Sequence, residues 1–239
     1  MIARLAVSVR NLVKRYGRRK ALDGFSIDIP FGCILGLVGP NGAGKTTFMM
    51  SVAGLLRVDS GSISVLESGA FDASVHSGRV AILPQDSELP LESTVEGFLL
   101  GLADLQGIPR GNAVVSVREV LAAVNLSDRA KVSIRSLSHG MRKRLMAAQC
   151  FLGNPELILL DEPMNGLDPE ESVRMRALVS SGKGKRSVVI SSHNLSEIER
   201  LCTHVAFVEN GKVLQMSSIS KLTSNGETLE SAYLNRNGS

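Results

Sequence analysis

Apolar and polar positions alternate at the start of the chain. Leu5, Val7 and Val9 are apolar at every second position, as are Phe25, Ile27 and Ile29. That two-residue period predicts half-buried antiparallel strands. Pro30, Phe31 and Gly32 then turn the chain into CILGLV (Cys33 to Val38), which is apolar on both faces and reads as a central strand. A helix is predicted from Lys45 to about Ala53, with strands at Ser62 to Leu66 and Val80 to Leu83. Helical spacing follows at Val95 to Leu105, Val114 to Val124 and Arg142 to Leu152, with a polar loop from Ser127 to Ser138. After Pro155 comes a buried strand, Leu157 to Leu160, expected beside the CILGLV strand. A helix from Pro169, a strand at Ser187 to Ser191 and a helix at Leu195 to Leu201 complete the alternation, and Asn194 with Glu197 suits a capping box. Asn210-Gly211 between Val205 to Val208 and Lys212 to Leu214 is a hairpin signal. Glu227 to Leu234 reads as a short amphipathic helix. Strands and helices alternating around buried strands predict an α/β fold with a parallel core, an antiparallel N-terminal piece and a helical insert.

The chain has 239 residues, 44% hydrophobic and 21% charged, an ordinary globular balance that excludes a disordered chain. Mean hydropathy is +0.12, yet no apolar run reaches bilayer length. Arg4 and Arg10 lie among apolar residues with no long apolar run or cleavage site, so no signal peptide is expected and the location is predicted to be cytoplasmic. Cys33, Cys150 and Cys202 lie far apart in apolar surroundings, which predicts buried thiols rather than metal ligands. A net charge of +4 invites a nucleic-acid reading. Against it, aromatics are 4% and Trp is absent, so stacking platforms are scarce. The basic clusters Lys14 to Lys20, Arg142 to Arg144 and Lys183 to Arg186 are read as solvated faces or neighbours of nucleotide phosphates.

Candidate chemistry begins at GPNGAGKTT, Gly39 to Thr47, which matches G-x-x-x-x-G-K-[ST] between a predicted strand and a predicted helix. Glycines let the backbone curl so that N–H groups point at phosphate oxygens, and the helix adds its positive end. Lys45 can reach the β- and γ-phosphates, and the Thr46 hydroxyl suits Mg²⁺. In LILLDEP, Leu157 to Pro163, a buried strand delivers Asp161 where it can hold Mg²⁺ or its waters, and Glu162 where it can accept a proton from water. LSHGM, Leu137 to Met141, places Ser138 as a helix N-cap and Gly140 in the first turn, a second anion-ready helix end. One phosphate loop leaves open what that second end binds.

Over essentially its whole length the chain resembles an ATP-binding subunit of an ABC transporter, of exporter-like style. Gly39, Pro40, Asn41, Gly42, Ala43, Gly44, Lys45, Thr46 and Thr47 resemble the Walker A loop, and Leu157 to Glu162 resembles Walker B. Tyr16 stands where the family's adenine-stacking aromatic lies, Gln85 in LPQD resembles the Q-loop glutamine, and LSHGM resembles the signature LSGGQ. Asn165 to Asp168 resembles the D-loop, and His193 in SSH the switch histidine. No N-K-x-D base reader of a GTPase is present. The resemblance implies a phosphate-loop NTPase fold with a RecA-like parallel core, an antiparallel β subdomain and an α-helical subdomain, with residues 1–239 as one domain and the helical insert roughly at 88–152. It also implies ATP and Mg²⁺ as ligands, with Thr46, Gln85 and Asp161 toward the metal and Glu162 as general base. His193 would contact the γ-phosphate and Gln85 would link the metal site to the membrane partner. Two such subunits would dimerise head to tail, so that Ser138 and Gly140 serve the other subunit's phosphate loop and Asp168 lies at the interface. The other implied partner is a separate transmembrane permease, with the chain peripheral on the cytoplasmic face of the membrane and no nucleic acid expected.

Plainer readings stand beside these. Tyr16 also fits an ordinary edge strand, Ser138 a plain N-cap, and Asp168, Pro169 and Glu171 the N-cap, N1 and N3 of a helix. His76, His139 and His204 are read as structural. His139 and Met141 replace the usual Gly and Gln of the signature, Thr203 replaces a common Asp, and the segments near Gly69 to Ser77 and Gly182 to Lys185 are short for the family. A soluble ABC-type ATPase acting on nucleic acid or ribosomes, and a regulatory subunit without turnover, are the alternatives.

Overall fold

The computed structural model describes residues 4–224 and 226–236. N-terminal alternation becomes a long antiparallel hairpin of β1 (Leu5–Tyr16) and β2 (Arg19–Pro30). Both strands outrun the alternating triplets, because register shifts around Asn11 interrupt the two-residue period. β3 (Ile34–Val38) leads into α1 (Lys45–Val52), and β4 (Ser60–Val65) joins β1 to complete a three-stranded antiparallel sheet. α2 (Ala73–His76), a single turn too short to leave a period, precedes β5 (Val80–Leu83). The helical region holds α3 (Val95–Leu105), α4 (Arg110–Ala123) and α5 (His139–Gln149). Then come β6 (Leu157–Asp161), α6 (Pro169–Ser180), β7 (Ser187–Ser192), α7 (Leu195–Leu201), β8 (His204–Glu209), β9 (Lys212–Ser218), α8 (Ile219–Leu222) and α9 (Leu229–Arg236).

Several boundaries differ from the sequence reading. α4 starts a turn before Val114, since Gly111 and Asn112 are weak helix formers that hide the first turn. α5 starts at His139 rather than Arg142, directly after its N-cap Ser138, and stops at Gln149 rather than Leu152; Gly153 follows in a left-handed conformation. The Ser127 to Ser138 loop contains two short 3₁₀ turns. At the hairpin, Asn210 (φ 49°) and Gly211 (φ 73°) both take positive φ, the two-residue turn that Asn-Gly favours.

The main sheet runs β5-β6-β7-β3-β8-β9. Five of its strands are parallel, and β9 pairs antiparallel to β8 at one edge. β6 therefore does not lie beside β3: β7 is inserted between them. Two apolar runs cannot reveal a third strand that enters between them from later in the chain.

Parallel central strands are buried on both faces, and alternate residues supply two cores. Leu35, Leu37, Leu157 and Leu159 face α1 and the antiparallel sheet, where Phe25 and Phe48 stack at 4.6 Å. Ile34, Val38, Ile158 and Leu160 face the helices α3 to α7. Each such side chain contributes roughly 1.5–3 kcal/mol on burial, so polar residues survive in these strands only with bonded work to do. Ser187 Oγ accepts from Gly32 N–H at 2.9 Å. Thr203, where the family pattern favours Asp, braces the start of β3: its Oγ accepts from Ile34 N–H at 3.0 Å and donates to Ile34 C=O at 3.1 Å.

All three cysteines are buried free thiols. Burial pushes Cys150 up to about 12 and Cys33 up to about 11, so both stay protonated. His76 is fully buried, its ring nitrogens 3.0 Å from the Asp72 backbone and 3.1 Å from Val65 O. Among the described residues no helix is long and apolar enough to cross a membrane.

Candidate nucleotide site

Because the five strands are parallel, their carboxyl ends open on one edge of the sheet, where ligands of open α/β sheets bind. Gly39 follows β3, Gln85 lies two residues past β5, Asp161 ends β6 and His193 follows β7. Strand register pairs Asp161 with Ser191 and Val38 with Ser192, which levels these ends.

The loop from Gly39 to Gly44 curls between β3 and α1. Gly44 caps the helix at φ 107°, and a Cβ there would lie 2.5 Å from Ala21 O, so both conformation and packing demand glycine. Gly211 of the β8–β9 turn holds the loop from outside: its N–H donates to Ala43 O at 3.0 Å, and its C=O accepts from Asp23 N–H at 3.0 Å. Lys45 is buried and donates to Gly39 O at 2.7 Å and Pro40 O at 3.2 Å. Burial lowers its pKa, against the carboxylates of Glu162 and Asp161, which favour the charge.

Thr46 Oγ1 donates to Asp161 Oδ2 at 2.5 Å. The buried Ser191 hydroxyl donates to the other Asp161 oxygen, Oδ1, and accepts from Glu162 N–H at 2.8 Å. Helix α1 and strands β6 and β7 are thus tied through one carboxylate. Glu162 itself takes a left-handed φ of 49° immediately after the strand, an unusual conformation for a non-glycine residue that is held by this bond network. Its carboxylate lies 3.1 and 3.3 Å from His193 Nδ1. The imidazole is mostly exposed and the carboxylate mostly covered.

These groups surround a cavity of about 440 Å³. Tyr16, Asn41, Gly42, Gly44, Lys45, Thr46, Thr47, Gln85, Asp161 and Glu162 line it, together with Arg19 and Ala21. Tyr16 is about half exposed at the rim, with Lys14 Nζ 5.6 Å from its ring centre. A smaller cleft of about 180 Å³ shares Gln85, Asp161 and Glu162 and runs on to Lys143 and Asn165. Oxygen donors dominate the inner end: the Thr46 hydroxyl, the Asp161 carboxylate and the Gln85 amide make a hard donor set that fits Mg²⁺.

Ser138, Gly140 and Asp168 do not line this cavity. Ser138 Oγ accepts from Met141 N–H at 3.2 Å as the N-cap of α5, and Asp168 Oδ1 accepts from Glu171 N–H at 2.8 Å as the N-cap of α6. The basic run Arg142 to Arg144 is not a solvated face, nor does it line that cavity. Arg142 donates to Leu137 O at 3.1 Å, Lys143 to Asn165 O, and the buried Arg144 to Val124 O while pairing with Glu171. These bonds fasten α5 to the loop before α6 and to the end of α4.

Sequence reasoning missed Ser191, Gly211 and Arg19. Ser191 was visible only as a polar residue at the end of an apolar strand. Gly211 was assigned to its hairpin alone, and Arg19 to a basic cluster.

The family model for ABC transporters matches residues 22–165. The chain is 34% identical over 211 residues to Nod factor export ATP-binding protein I of Burkholderia orbicola (strain AU 1054), covering 86% of this chain and 68% of that one. It is 37% identical over 212 residues to the bacitracin transport ATP-binding protein BcrA of Bacillus licheniformis, at 87% and 68% coverage. A solved ATP-binding subunit of an ABC transporter superposes with a TM-score of 0.85 at 25% identity, covering 96% of this chain and 98% of the other. An ATP-binding cassette of an ABC transporter solved in its ADP conformation gives a TM-score of 0.76 at 25% identity and the same coverage. A phosphate loop, an Asp-Glu pair at the end of the strand next but one and a capped LSHGM helix in one chain accord with these matches: the chain belongs to the ABC transporter family, as one of its nucleotide-binding, ATP-hydrolysing subunits.

Proposed function

We propose that this chain binds Mg-ATP in the Gly39–Thr47 loop and hydrolyses it with Glu162 as general base, driving a separate transmembrane permease. The observation that carries this reading is the bonded chain Thr46–Asp161–Ser191–Glu162, which sets a metal-type donor pair and a second carboxylate, the one His193 contacts, side by side. Lys45 and the loop N–H groups hold the phosphates, and Tyr16 stacks on the adenine. Thr46, Asp161 and Gln85 would hold Mg²⁺, which when bound offsets charge on the phosphate oxygens. Glu162 accepts a proton from the attacking water, and His193, in contact with that carboxylate, orients it and reaches the γ-phosphate. Hydrolysis needs little covalent chemistry from the protein; positioning and electrostatics supply the rate.

Ser138 and Gly140 lie on a capped helix end outside the cavity, so they act on nucleotide held by a second subunit in a head-to-tail dimer, with Asp168 at the interface. Ser138 and Gly140 are the phosphate-facing pair of the signature, so the His139 and Met141 departures leave this contact in place. The chain works as one ABC ATPase domain with its helical insert at 88–152, peripheral on the cytoplasmic face of the membrane. The relatives named for Nod factor export and for bacitracin transport support an export role for a drug, lipid or peptide cargo. Purified chain should hydrolyse Mg-ATP, Lys45→Ala should abolish turnover, and native membranes should yield the chain with a polytopic protein. Recovery with ribosomes or DNA instead would favour the soluble alternative.

A further inference from the structure

Arg19 opens β2 and lies at the rim of the nucleotide cavity, beside the phosphate loop. Its Nη2 donates to Gly42 O at 2.9 Å. The guanidinium occupies the space that a side chain at position 42 would need: a Cβ there would lie 2.3 Å from Nη2. Gly42 is glycine for its backbone, at φ 79°, and the bare face it leaves is where the arginine tip lies. Of the neighbouring cations, Arg10 pairs with Asp28, Lys14 with Asp59 and Lys20 with Asp23, and of Arg15, Arg18 and Arg19, which make no such pair among the described residues, Arg19 is the one that lines the cavity. Among the described residues Arg19 has no carboxylate partner. A guanidinium carries five N–H donors and a fixed positive charge. One donor is used on a neutral carbonyl, and the others stand at the edge of a cavity whose loop is built for phosphate.

We propose that Arg19 is a phosphate-contacting residue of this site, a second cation beside Lys45 that binds the phosphate chain of a nucleoside di- or triphosphate. The inference rests on the nucleotide-site reading above. Lys45 approaches from the buried floor and Arg19 from the exposed rim, so the phosphate chain is held from both sides. Since the contact is to a phosphate that ADP and ATP share, Arg19 strengthens both and slows product release as well as aiding ATP capture.

Calorimetric titration of the full chain with ATP and with ADP, at low and at raised salt, tests this. Arg19→Ala should weaken both nucleotides by roughly tenfold, as expected for one charge-assisted hydrogen bond, and should reduce the salt dependence of binding. Arg19→Lys should recover much of the affinity. Arg19→Gln keeps a donor for Gly42 O but no charge, and should bind as weakly as Arg19→Ala. Wild-type affinity in Arg19→Gln would make the residue a mere clamp on the loop and overturn the proposal, as would wild-type affinity in Arg19→Ala. If the unmutated chain binds neither nucleotide, or Lys45→Ala binds as well as it does, the nucleotide-site reading itself falls.

Discussion

The hydroxyl of Thr46, on α1, lies 2.5 Å from Asp161 Oδ2, although β3, the strand that leads into α1, is not a neighbour of β6 in the sheet. β7 lies between them and contributes Ser191, which bonds the other oxygen of the same carboxylate and the backbone of Glu162. The candidate metal donors, on α1 and β6, and the candidate base after β6 are therefore held by a strand that carries none of them.

Ser191→Ala should keep the fold and lose roughly 10–100-fold in ATPase activity, the usual cost of removing a group that orients a metal ligand. The apparent Mg²⁺ requirement should rise with it. Steady-state turnover against Mg²⁺ concentration measures both, and unchanged activity would show that Ser191 is only a packing residue.

Arg144 and Glu171 form a mostly buried ion pair that fastens the LSHGM helix to the helix after Asp168. Breaking such a pair leaves one buried charge without its partner, so Arg144→Met should cost about 3–5 kcal/mol. Arg144→Met with Glu171→Leu should recover a large part of that loss. Urea unfolding of the two single variants and the double variant gives the coupling, and simple additivity would contradict it.

Glu156 links the foot of β6 to Arg79 and Arg4 at 2.7 and 2.6 Å. Burial pushes its carboxyl up, but the hydrogen bonds and charges of the two arginines outweigh this and hold it below the ordinary 4.5. The unfolded state then binds the proton more readily than the folded one. The resulting stability is present above pH 4.5 and drains away as pH falls through and below that value. Glu156→Gln should flatten the acid limb of the urea midpoint measured against pH. An equally steep limb in the variant would remove this assignment.

Period and punctuation made much of the architecture legible. Apolar runs marked β3 and β6, and Asn210-Gly211 marked its turn, because each feature is local. What escaped was relational. No pattern in Leu157 to Leu160 says that Ser187 to Ser192 will separate it from β3, and so the bridging role of Ser191 was hidden. The basic run Arg142 to Arg144 looked like surface charge because burial of an arginine depends on Glu171 and on the end of α4, both distant in sequence. At the site, Lys45, Thr46, Asp161 and Glu162 were readable because phosphate-loop chemistry imposes a spacing. Gly211 and Arg19 touch the same loop from elements whose own patterns are complete without it.

Glu162 is the proposed general base of an ATPase whose second anion-ready helix end serves a partner copy. Glu162→Gln preserves the shape of the side chain and removes the base. Light scattering of that variant in saturating Mg-ATP, with chromatography of the bound nucleotide, reads dimer formation and loss of hydrolysis in one sample. A particle of twice the monomer mass that holds unhydrolysed ATP is the predicted result. A monomer that turns over ATP at the wild-type rate would contradict it.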